Sequence, residues 1–122
     1  MDKDKEKMIQ DREVQEHKER NKTNSMRLII KVIKIKGKCP VYKEGDRIVI
    51  DEGYRLNLKE TDALCLHSFA SFMPYYISLS KGVDPKTLGL AKTGNKAYLQ
   101  CLDPCEYTGG GTVIFELSTG ED

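Results

Sequence analysis

The chain has 122 residues, 39% of them hydrophobic and 32% charged, enough for one modest core and too short for a two-domain enzyme. Its 20 Lys and Arg against 19 Asp and Glu give a net charge of +1, so no global field draws the protein to polyanions or anionic bilayers. The apolar stretches around Leu28–Ile35 and Leu64–Met73 fall far short of the roughly 20 residues a membrane span needs. The start Met1-Asp2-Lys3-Asp4-Lys5 has no apolar segment of the secretory kind behind it; the expectation is a cytoplasmic protein with no membrane partner.

Residues 1–26 hold seven basic and seven acidic side chains against five apolar ones. Such a segment has no face to bury, and pairs such as Arg12–Glu16 add only about 0.2–0.5 kcal/mol each to a solvated helix. A charged arm, helical or disordered, is expected there, then a single domain over 27–118 and a short tail over 119–122. The first strand is Leu28-Ile29-Ile30-Lys31-Val32-Ile33-Lys34-Ile35, rich in β-branched residues and ended by Gly37. Its apolar phase is even at Leu28, Ile30 and Val32 but odd at Ile33 and Ile35, so the strand either buries both faces early or contains a β-bulge, for which the position near Val32 is favoured. Arg47–Ile50 and Tyr54–Leu58 flank Asp51-Glu52-Gly53 and read as a hairpin.

From Thr61 the period becomes helical. Cys65, Leu66, Phe69, Phe72, Met73, Tyr76 and Ile77 form one stripe predicted to face the sheet, with Pro74 kinking or splitting the segment and Gly82 ending it. Ala97–Leu102 and Thr112–Leu117 alternate as strands. The predicted fold is α+β: a small antiparallel sheet of four to five strands packed against one helical segment kinked or split near Pro74.

Four cysteines, Cys39, Cys65, Cys101 and Cys105, are the unusual feature of the chain. Without a secretion signal they read as metal ligands, redox thiols or core residues before disulfides. A zinc or iron–sulfur site needs three or four thiolates on one point, and only Cys101-x3-Cys105 has the spacing of a chelating pair. Burial by itself explains Cys65, on the helical stripe, and Cys101, on an alternating strand face. Cys39 and Cys105 stand beside Pro40 and Pro104 in loops, where core filling explains less, and Lys36 and Lys38 flank Cys39.

His67 is a further polar candidate, set against a plain reading as part of a solvated face with Ser71 and Ser78. On a regular helix it lies about 200° from Cys65, so the two share a metal only if the helix begins later. Gly109-Gly110-Gly111 precedes a strand rather than a helix and reads as a flexible hairpin loop, not a phosphate cradle. The lysines of the first strand have no aromatics interleaved with them, so they read as a solvated face and no nucleic-acid partner is expected. A homo-oligomer is left open.

Gly37-Lys38-Cys39-Pro40, Gly45-Asp46, Cys65 with His67-Ser68, Pro74-Tyr75, Cys101-Leu102-Asp103-Pro104 and Val113-Ile114-Phe115-Glu116-Leu117, in this order, resemble a family of small prokaryotic single-domain proteins of unknown function, over about residues 28–118. The resemblance implies that Cys39, Cys65 and Cys101 belong to one shared feature, of the metal, iron–sulfur or thiol kind. The family pattern often has Gly-His where this chain has Val41-Tyr42, which removes a histidine from that loop. Cys105, the glycine run and the charged arm are peculiar to this chain.

Three functions follow. The first is metal binding, zinc or iron–sulfur, by Cys39, Cys65 and Cys101 with Cys105 as a fourth ligand. The second is thiol redox or transfer chemistry, with Cys39 as nucleophile and Cys101 or Cys105 resolving it. The third is an interaction module in which the cysteines are structural.

Overall fold

The computed structural model describes residues 25–120. The expectation for the arm therefore lies outside the described residues except at Ser25 and Met26, and that for the tail except at Thr119 and Gly120. The strands are β1 (Leu28–Gly37), β2 (Arg47–Asp51), β3 (Arg55–Leu56), β4 (Ala97–Gln100) and β5 (Gly111–Thr119). They form one antiparallel sheet in the order β3-β2-β1-β5-β4, so the strand richest in β-branched residues lies at its centre. Helices α1 (Leu66–Phe72) and α2 (Tyr76–Ser80) cover one face. A single turn, α3 (Cys105–Thr108), joins β4 to β5. The architecture is α+β, as the sequence predicts. Among the described residues no helix is long and apolar enough to cross a membrane.

The bulge falls where the change of phase places it. Val32 pairs with Phe115 and Lys34 with Ile114, leaving Ile33 as the extra residue. Leu28, Ile30 and Val32 before it and Ile35 after it can then all turn to the core, and Ile33 stays exposed. The bulge leaves no bond unmade on the other side: the Val32 amide donates to Asp46 O, and its carbonyl accepts Gly45 N–H.

The hairpin between β2 and β3 turns through Glu52 (φ 62°) and Gly53 (φ 80°), with Tyr54 N–H on Asp51 O. Two positive φ angles suit a twisted hairpin, but glutamate holds the first at a cost. Glu52→Asn is accordingly expected to raise stability by about 0.5–1 kcal/mol, measured by urea unfolding; a loss would show that the Glu52 side chain matters more than its backbone.

β3 is only two residues long, shorter than expected, because the chain then turns to close the edge of β2 with side chains. Asp62 Oδ2 and Thr61 Oγ1 accept the amides of Arg47 and Val49, while Asp62 and Asn57 amides reach the carbonyls of the same residues. The edge is thereby unavailable for pairing with another chain.

The helical segment splits at Pro74, but its buried stripe is not the expected one. Helix begins at Leu66, not Thr61, and restarts at Tyr76, so the phase resets. Leu66 (78% exposed), Met73 (54%) and Ile77 (51%) face outward, and Ser68, Phe72, Leu79 and Ser80 take the buried positions. The loop around the glycine run, expected to be a plain hairpin, contains α3. Pro104 opens that turn and Gly109, left-handed at φ 75°, closes it.

The core is organised by aromatics. All three phenylalanines of the chain and Tyr42 form an edge-to-face series, with ring centroids 5.6 Å apart for Tyr42–Phe115, 5.8 Å for Phe115–Phe72 and 5.7 Å for Phe72–Phe69. The series ties the loop after β1 to β5 and to α1.

Candidate functional site

Three cysteines border one end of this core. Cys39 lies two residues past β1, half-buried; Cys65 is the residue before α1, half-buried; Cys101 follows β4 and is buried. All four cysteines are free thiols. Cys39 Sγ accepts the Tyr42 amide at 3.3 Å, closing a tight turn across Pro40 and Val41. Cys101 Sγ accepts the Val113 amide at 3.2 Å and donates to Gly111 O at 3.5 Å, so its sulfur is bonded on both sides inside the sheet.

Tyr42 joins the loop of Cys39 to the start of α1. The Cys65 amide donates to Tyr42 Oη at 2.7 Å, and Ser68 Oγ donates to Cys65 O at 2.7 Å. With the Ser68 proton committed there, the 2.7 Å contact between the two hydroxyls has Tyr42 as donor. Amide, phenol, serine and carbonyl thus close a ring, which provides the side-chain partner that the first turn of α1 needs. Burial pushes the Tyr42 hydroxyl above the usual tyrosine range, outweighing the hydrogen bonds at its oxygen; charge on Cys65 or Cys39 pushes the same way. Both sulfurs therefore sit within electrostatic reach of one phenol.

The start of β5 brings Cys39 and Cys101 to a common neighbour. Gly111 lies so close to the incoming chain that a Cβ there would meet Lys38 C at 2.7 Å and Cys39 N at 2.8 Å. Its carbonyl is the one that Cys101 Sγ reaches. The last glycine of the run is therefore a close-approach position rather than a flexible one.

Cys105 is set apart. It opens α3 and, with Lys36, Gln100 and Tyr107, lines a shallow cleft on the sheet face opposite the helices. His67 is exposed on α1. Among the described residues no group of three or more His, Cys, Asp or Glu side chains is gathered so as to hold a metal ion.

The residues that sequence reasoning missed are Tyr42 and Ser68. Tyr42 stands alone in a polar loop without periodicity, and Ser68 looks like any polar helical position. An apolar cleft of about 200 Å³ between β2, β3 and the helices, lined by Ile48, Ile50, Leu64 and Phe69 and flanked by Tyr54 and Tyr76, offers no titrating group beyond the phenols.

No protein-family description, no curated protein and no solved structure matches this chain.

Proposed function

We propose that this is a thiol protein whose working sulfur is Cys39. One observation carries the reading: among the described residues, Cys39 is the thiol that is both reachable from solvent and hydrogen-bonded at sulfur by a backbone amide. That bond fixes the sulfur's position in the turn that follows β1. Cys101 is bonded too but buried. The chemistry this supports is exchange with a disulfide. The Cys39 thiolate attacks one sulfur of the partner disulfide, the new S–S bond forms as the old one breaks, and the departing thiolate takes a proton from water.

The metal reading, zinc or iron–sulfur on Cys39, Cys65, Cys101 and Cys105, requires three or four sulfurs around one point. Cys105 would have to cross from the other face of the sheet to join them. The thiol reading needs no such movement.

The test is competition for a limiting amount of N-ethylmaleimide, mapped by mass spectrometry, with a parallel incubation in glutathione disulfide and metal analysis of anaerobically purified protein. Cys39 is expected to be alkylated first and to carry the glutathione, with both lost in Cys39→Ser. Preferential labelling of Cys65 or Cys105 would move the site. Near-stoichiometric zinc, or iron with sulfide, lost in Cys39→Ser, Cys65→Ser and Cys101→Ser alike, would replace this proposal with the metal one.

A further inference from the structure

The face of the sheet turned away from α1 and α2 carries a charge pattern that the single strand does not reveal. The bulge puts Lys31, Lys34 and Lys36 of β1 on that face, beside Glu116, Ile114 and Thr112 of β5 in register. One strand further out, β4 places Tyr98 beside Glu116 and Gln100 beside Ile114. All three lysines are exposed, and among the described residues none has a carboxylate partner. Glu116, in the middle, is already held by Lys96 at 3.3 Å and by the Tyr98 hydroxyl at 3.1 Å, and Glu106 of α3 lines the cleft at the end of the column. At the end of the lysine column a cleft of about 230 Å³ opens between Lys36, Gln100, Thr112 and α3, and Tyr107 stands beside it 89% exposed.

We propose that this face binds a single-stranded nucleic acid, its phosphates following Lys31, Lys34 and Lys36 and a base stacking on Tyr107. Charge complementarity selects a polyanion: a column of ammonium groups along a sheet's central strand matches a chain of phosphates. The aromatics select one with bases, because an exposed tyrosine next to cationic side chains is the stacking platform of single-strand binding, whereas a plain anionic surface has no use for it. The strand's own sequence lacks interleaved aromatics, which argues against nucleic acid when β1 is read alone; the fold supplies them from β4 and α3. The groove-reading alternative is poorer, since the single turn α3 is too short to enter a duplex groove and the sheet face is too broad to do so. This inference is independent of the thiol reading, whose Cys39 it does not use.

The experiment is fluorescence anisotropy with fluorescein-labelled 12-mers of dT and of U, with polyphosphate and with phosphatidylserine-containing vesicles as competitors. The wild-type chain is compared with Lys31→Gln/Lys34→Gln/Lys36→Gln and with Tyr107→Ala. All four side chains are exposed, and circular dichroism checks the fold. Three phosphate contacts predict a fall in affinity of about 20-fold between 50 and 200 mM salt, and a flat salt dependence in the triple variant. Tyr107→Ala is expected to weaken the complex about fivefold or more. The preference between U and dT identifies the strand as RNA or DNA. No binding at 50 mM salt by roughly 100 µM protein, the weak end of non-specific affinity, overturns the proposal. So does binding indifferent to the lysines. So does polyphosphate or vesicle competition as strong as the strand itself together with an unaffected Tyr107→Ala, which would leave a plain anion-binding surface.

Discussion

Phe115→Ala is expected to destabilise the domain by about 3–5 kcal/mol, the usual cost of removing a fully buried aromatic side chain and leaving a cavity. Phe115 has no exposed surface and is the middle ring of the series Tyr42–Phe115–Phe72, with Phe69 beyond. Its ring touches both Tyr42 in the loop of Cys39 and Phe72 in α1, so its loss loosens two elements that have no strand to hold them. A domain of this size commonly has about 5–15 kcal/mol in total, and the variant should unfold at much lower urea with an unchanged slope. Ile33→Ala serves as the control. That residue is the exposed bulge position, and its truncation should stay within about 0.5 kcal/mol. Equal losses in the two variants would mean that the aromatic series does not organise the core.

The contrast between these two residues shows how far the sequence could be read. Both belong to apolar strands, and alternation reads one better than the other: Val113, Phe115 and Leu117 share a face as their spacing requires, whereas the even-to-odd change in β1 announces the bulge but groups Ile33 with Ile35, and only Ile35 packs on the core. Periodicity served less well over residues 65–77. A stripe drawn through a continuous helix presumes one phase, whereas Pro74 separates two short helices that each dock on their own terms. Such a stripe puts Leu66, Met73 and Ile77 in the core, yet they are exposed, while Ser68 and Ser80 are buried with their hydroxyls bonded to carbonyls. The thiols were legible as residue types and as loop or core positions. Their relation to one another was not, because it depends on Tyr42 and on the close approach at Gly111, neither of which has a local pattern. The arrangement of the lysine face was not legible either, since Tyr98 and Tyr107 come to it from β4 and α3 and a sheet assembles its surface across strands.

Tyr42→Phe should cost about 1–3 kcal/mol at neutral pH, although it leaves the ring on Phe115 in place. The Cys65 amide loses its acceptor in a half-buried setting, and Ser68 Oγ loses the phenol proton in a buried one where water is a poor substitute. The effect has a pH signature. Burial raises the Tyr42 hydroxyl above its unfolded value of about 10, so at alkaline pH the folded chain keeps a proton that the unfolded chain releases. The stabilisation is complete below about pH 10 and is lost as pH rises towards and through the folded value. Wild type and Tyr42→Phe should therefore converge in stability as pH rises above about 10, with wild type the steeper of the two. Tyr98 is raised in the same direction, by its hydrogen bond to Glu116, but it sits on the open face of the sheet, so Tyr98→Phe separates the two titrations. A gap that stays constant through alkaline pH would show that the phenol proton plays no part in holding α1 to the loop. Alkylation of Cys39 supplies the link to function: its sulfur is held by the Tyr42 amide, which the substitution keeps, so the thiol should still react first. If the loop instead needs the phenol to present its sulfur, that preference disappears with the hydroxyl.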